Sequence, residues 1–159
     1  MRGGKRMNKK VIDLLNAARA REIAAIQQYL AQHYELEDKG YGKLAKKIKE
    51  IAIVEMKHAE KLAERILFLN GVPEFKPDSM PKKGEDIPKL LVTDIGIEAK
   101  AVDMYNDAAA VCAAEKDQGS KDLFEELIAD EEDHVDFFEN SKDMVDKLGA
   151  PYIATLADL

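Results

Sequence analysis

A chain of 159 residues, 46% apolar and 35% charged, has the size and hydrophobic content of one folded domain with a heavily solvated surface, which excludes a disordered segment. Its net charge of -7 argues against a nucleic-acid partner and favours the attraction of cations. The single cysteine, Cys112, excludes an internal disulfide and a four-thiolate metal site, and is expected to pack as a small apolar residue. The basic segment 1–10 is not followed by an uncharged apolar run, so it does not read as a signal peptide. No run reaches the apolar length needed to cross a bilayer, and a cytoplasmic location with no membrane partner is the expectation.

Prolines stand only at 73, 77, 81, 88 and 151, and the proline-free stretches between them are rich in Ala, Leu, Glu and Lys, which predicts an all-α protein. A short basic arm, 1–7, precedes a first helix over about 8–37, whose apolar residues Val11, Leu14, Leu15, Ala18, Ala25, Ile26, Tyr29 and Leu30 recur at helical spacing. A second helix over about 42–70 carries Leu44, Ile48, Ile51, Ala52, Ala59, Leu62, Ile66 and Leu69 on one face, and Asn70-Gly71 with Pro73 stops it. Residues 71–86 form a long loop. A third helix spans about 86–115, with Pro88 in its first turn; 117–120 is a turn. A fourth helix spans about 121–148, with Leu123, Phe124, Leu127, Ile128, Val135, Phe138 and Val145 inward, and Gly149 ends it. A short fifth helix is expected over 152–158. Helices of roughly 28 residues are about 42 Å long, and a 16-residue loop reaches about 50 Å, so the loop can cross the whole bundle and leave helices two and three parallel. The expectation is one domain over 1–159, a four-helix bundle with a crossover between helices two and three.

The chemistry resides in an internal repeat. Glu22, Glu55 and His58 recur 76 residues later as Glu98, Glu131 and His134. Each glutamate has apolar residues at its helical neighbour positions: Leu15, Ala18, Ile26 and Tyr29 around Glu22, and Leu91, Ile95, Ala101, Val102 and Tyr105 around Glu98. Glu55 lies among Ile48, Ile51, Ala52, Ala59 and Leu62, and Glu131 among Phe124, Leu127, Ile128, Val135 and Phe138. Four buried carboxylates would each cost several kcal/mol without a counter-charge, and crowding would oppose their joint ionisation. A pair of cations removes both problems. The midpoints of 22 with 55, and of 98 with 131, fall in or close to the two short turns, so all four glutamates can share one level. Glu-x-x-His sets both side chains on one helical face, and carboxylate with imidazole suits redox-active non-haem iron with open positions. His33 has no such partner and is expected at the surface.

At these residues the sequence resembles bacterioferritin, a haem-containing member of the ferritin-like bundles. The stretch VEMKHAEKLAERILFLNG from Val54 carries the resemblance, supported by EIAAIQQY from Glu22 and DEEDH from Asp130. The di-iron ligand pattern of such bundles is a general one. The resemblance implies that Glu22 with His58 binds one iron, that Glu98 with His134 binds the other, and that Glu55 and Glu131 bridge them. It implies a ferroxidase oxidising Fe2+ with O2 or H2O2, a ferric mineral stored inside a 24-subunit homo-oligomer built from two-fold dimers, and a ferredoxin-type electron donor. Tyr29 matches a tyrosine near the family's di-iron site and is either an electron donor or a core tyrosine. Met56, about 100° from the metal face, matches the methionine that binds haem, one from each of two subunits; the other reading is a soft interface residue. Two departures stand out. Glu50 and Val54 occupy positions where some members have His and Asp for an inner-wall iron site, which removes those donors. The chain also has no Trp, which excludes radical transfer through an indole; Phe137 and Phe138 follow His134.

Three other readings bear on function. A rubrerythrin-like peroxide reductase usually adds a four-cysteine iron domain, which one cysteine excludes, leaving a stand-alone form. A DNA-protecting mini-ferritin places iron between subunits and lacks the second Glu-x-x-His. A purely structural bundle would hold no metal.

Overall fold

The computed structural model describes residues 7–158; the start of the expected basic arm, 1–6, lies outside them. The helices are α1 (Lys9–Asp38), α2 (Gly42–Phe68), α3 (Ile87–Ala114), α4 (Gln118–Leu148) and α5 (Ala150–Ala154). Three of the five starts carry a side-chain cap. The side-chain oxygens of Asn8, Asp86 and Asp117 accept hydrogen bonds from the backbone N–H groups of Val11, Lys89 and Ser120. The Asp117 cap starts α4 at Gln118, earlier than the periodicity suggests, because Arg65 also binds Asp117 (2.7 Å) and Ser120 (3.0 Å) and fixes that corner. Pro151 sits in the first turn of α5, which therefore begins earlier than expected.

α1 packs along α2 and α3 along α4, each pair antiparallel across a short turn. The crossover runs along α1 in register. Asn16 donates to the Val72 carbonyl, and Arg19 to that of Glu74. Arg21 meets Asp78, Gln28 meets the backbone of Lys82 at both its amide atoms, and Glu35 accepts from the Gly84 N–H. The loop thus climbs the bundle from the end of α2 to the start of α3, so these two helices run parallel. Among the described residues no helix is long and apolar enough to cross a membrane.

Two apolar clusters fill the bundle. One holds Leu15, Leu62, Ile66, Tyr105, Phe124 and Leu127; Cys112, fully buried, belongs to it as expected. The other holds Tyr29, Ile48, Ala52, Leu91 and Phe138. Val135 and Leu123 are only half-buried. His33 is buried, contrary to the surface expectation: its Nδ1–H donates to the Ala45 carbonyl at 2.7 Å, a bond across the α1–α2 pair that supplies a partner for the buried ring.

Candidate metal centre

Between the two clusters lies a polar layer to which α1 contributes Glu22, α2 Glu55 and His58, α3 Glu98, and α4 Glu131 and His134. All six are buried. They form two quartets, Glu22–Glu55–His58–Glu131 and Glu55–Glu98–Glu131–His134, within each of which one ligand atom per residue lies within 4.8 Å of the others. Glu55 and Glu131 belong to both quartets. Glu22 and His58 belong to one, Glu98 and His134 to the other.

The layer is short of partners. Glu22 Oε2, Glu55 Oε1, Glu98 Oε2, Glu131 Oε1 and His134 Nδ1 are buried and accept or donate no hydrogen bond. Buried polar atoms without partners are rare, and five of them on the residues of two overlapping quartets suit a cation site. Burial first, and then the neighbouring glutamates, pushes the carboxyls of Glu55 and Glu131 well above the usual range. Glu98 is held below it: burial opposes this, but the neighbouring His134 ring and Glu131 carboxyl, with the bond from Tyr29, outweigh the burial. At His58 burial favours the neutral ring, yet Glu131 and Glu22 raise its pKa to about 11. The metal-free layer therefore stores protons, which a bound cation would replace.

Tyrosines complete the layer. Tyr29, on α1, donates to Glu98 Oε1 on α3 at 2.5 Å; Tyr105, on α3, donates to Glu22 Oε1 on α1 at 2.7 Å. Both are fully buried, and burial followed by the adjacent glutamate raises both hydroxyls well above their ordinary pKa. Glu22 and Glu98 thus each have one oxygen tied to the opposite helix and one left without a partner. Tyr105 stands 76 residues after Tyr29, so it obeys the same offset as the glutamates and histidines and could have been found by it. Asp130 is a second addition: its Oδ2 lies 2.8 Å from His58 Nε2. Asp94 is a third. It is fully buried one turn before Glu98 and accepts from Gln32 at 2.7 Å. Burial, opposed by that bond but reinforced by Glu98, raises its carboxyl well above the usual range.

Met56 lies on the outer face of α2, 42% exposed, away from the carboxylate layer. Glu50 is exposed and Val54 half-buried on the same helix.

Residues 12–146 match the model of the ferritin-like domain family. The bacterioferritin of Desulfovibrio desulfuricans is 40% identical over 93% of this chain and 83% of its own length. That of Rhodobacter capsulatus is 43% identical over 92% and 91%. The crystal structure of the Desulfovibrio protein, described with its diiron site in different catalytic states, matches with a TM-score of 0.93 over 98% of this chain and 92% of that one. The Rhodobacter structure, described as having a metal-free dinuclear site and haem iron in a crystallographic special position, also matches at 0.93, over 97% of each chain. The bundle, the carboxylate layer and this degree of identity agree: the chain belongs to the bacterioferritins, within the ferritin-like family.

Proposed function

We propose that this protein oxidises Fe2+ at the paired site and stores the ferric product as a mineral inside a 24-subunit homo-oligomeric shell built from two-fold dimers. The observation that carries the reading is that the residues of two overlapping quartets hold five buried side-chain atoms without a partner. Glu22 and His58 would hold one iron, Glu98 and His134 the other, and Glu55 and Glu131, common to both quartets, would bridge them. Paired iron supplies the electrons that reduce O2 or H2O2. The chain's own residues do the rest. Tyr29 and Tyr105 orient the terminal carboxylates through one oxygen each. The apolar clusters above and below exclude water, which strengthens every charge interaction in the layer. Protons held on His58 and the bridging glutamates leave as cations arrive. Tyr29, hydrogen-bonded to Glu98, would supply an electron when the diiron centre has too few. This likeness to bacterioferritins along nearly the whole chain favours storage over a stand-alone peroxide reductase.

Met56 would ligate haem. A haem on a two-fold axis meets the same residue from two copies, and an exposed thioether on a face the bundle does not use fits that arrangement. Such a haem would pass electrons inward from a ferredoxin-type donor for iron release. The test is direct. Metal-free protein should bind two Fe2+ per chain, oxidise them rapidly in air, elute as a 24-subunit particle and, when haem is supplied, show an absorption band lost in Met56→Leu. Undiminished rapid oxidation in both Glu22→Ala and His134→Ala would falsify the ligand set.

A further inference from the structure

The two halves of the centre repeat their ligands but not the groups behind them. His58 Nε2 meets Asp130 Oδ2 at 2.8 Å, which turns Nδ1 toward Glu22, Glu55 and Glu131 at 3.3, 3.4 and 3.1 Å. The ring is therefore held from both sides, and only 2% of its side chain is exposed. The offset that carries Glu55 onto Glu131 carries Val54 onto Asp130. A valine has no polar side-chain atom, so the position equivalent to Asp130 offers His134 no acceptor. The carboxylates that His134 does meet, Glu55, Glu98 and Glu131, all face its Nδ1, at 3.4, 3.5 and 3.7 Å. Each is too long or too poorly aligned to make a hydrogen bond, since this Nδ1 has no hydrogen-bond partner. The His134 side chain is also the more exposed of the two, at 10%.

A carboxylate behind a ligating imidazole fixes the tautomer and the ring angle and makes the other nitrogen a better donor to a metal. His58 has this support and His134 lacks it. We infer that Asp130 is a positioning residue that makes the Glu22–His58 half the tighter, first-filled metal site and leaves the Glu98–His134 half as the weaker, exchangeable one. This rests on the two-metal reading above. It gives the centre a direction: one ion stays and the other comes and goes.

Metal-free, assembled protein titrated with Co2+ alone provides the test, read by calorimetry and by the visible d–d bands. Two ions per chain should bind in two steps whose dissociation constants differ by about tenfold or more. Crystals soaked with one equivalent should show cobalt anomalous density in the Glu22–His58 half. Asp130→Ala should weaken the first step by about 10–100-fold and merge the two. Asp130→Asn keeps an oxygen acceptor for the Nε2–H and should retain most of the first-step affinity. Val54→Asp should strengthen the second step alone. Two equal steps in the wild type, or a first step unmoved by Asp130→Ala, would overturn the inference while leaving two-metal binding intact. Saturation below two ions per chain would overturn the two-metal reading itself and this inference with it.

Discussion

At its two ends the bundle is filled by side chains such as Leu62, Phe124 and Leu127 in one cluster and Ile48, Leu91 and Phe138 in the other; between them the same four helices bury four glutamates and two histidines. The ends gain free energy from burial, about 1.5–3 kcal/mol for each large side chain. The middle layer costs free energy, because carboxylates leave water there for partners that the protein does not supply. The ends thus hold the fold while the middle waits for cations. Stability and metal binding should therefore respond to mutation separately, and in places with opposite sign.

The largest stability effect is expected in an end cluster. Phe124→Ala should cost about 3–5 kcal/mol, read as a fall in the denaturation midpoint of the metal-free protein, with two-ion binding retained. If metal stoichiometry collapsed together with stability, the two regions would not be independent. In the middle layer, Glu131→Gln should slow rapid Fe2+ oxidation by roughly 100-fold or more, equivalent to about 2.7 kcal/mol. The same change should leave the metal-free protein as stable as the wild type or more so, since it removes a carboxylate from a crowded buried layer. A large loss of metal-free stability in this variant would mean that Glu131 supports the fold even without a cation.

The pH response sharpens the same contrast. The carboxyls of Glu55 and Glu131 are raised well above 4.5, and the His58 ring is raised from 6.5 to about 11. Groups raised in the folded state contribute their full stabilisation below the unfolded values and lose it as pH rises through the folded ones. These three groups should therefore contribute progressively less to the metal-free protein above about pH 4.5, with the His58 contribution lasting until near pH 11, whereas Glu98, held low, contributes above its ordinary value and loses this only in acid. Metal binding competes with those protons, so the gap in Tm between Co2+-loaded and stripped protein should widen from acid toward alkaline pH. A gap independent of pH would show that the layer holds no protons to displace.

The four long helices and their pairing were legible in the sequence because apolar spacing of 3.6, the prolines and two short turns mark them, while the starts of α4 and α5 were misplaced. The six residues of the carboxylate–histidine layer were legible because acidic residues on apolar faces are costly and recurred at one offset. The supporting residues were harder to see. Asp130 sits beside Glu131 on a charged stretch, where nothing in the periodicity separates a residue that reaches His58 from one that faces water. Asp94 and Gln32 bond across two helices, a relation that no single-helix pattern reveals. His33 reads as polar and unpartnered, yet its partner is a backbone carbonyl, and every residue in the sequence carries one. Tyr105 alone was within reach, since the offset that pairs the glutamates also pairs it with Tyr29.

That pair of tyrosines joins the two regions, and replacing them should cost much less stability than emptying an end cluster. Each ring packs in an apolar cluster, Tyr29 against Phe138 and Tyr105 against Phe124, both at 5.8 Å between centroids. Each hydroxyl enters the polar layer. Phenylalanine keeps the packing and removes one hydrogen bond, so Tyr29→Phe and Tyr105→Phe should each cost about 1 kcal/mol in the metal-loaded protein, where the cation compensates the carboxylate left behind. The matching ring separations and the one tyrosine–glutamate bond on each side make the two substitutions controls for each other. If Tyr29 acts only as a prop for Glu98, the pair should behave alike in every assay. If it gives up an electron, rapid-freeze electron paramagnetic resonance after mixing Fe2+ protein with O2 should show a tyrosyl signal in the wild type and in Tyr105→Phe that disappears in Tyr29→Phe. The second outcome is the expected one, and a signal that survives Tyr29→Phe would move the electron source to Tyr105 or another tyrosine.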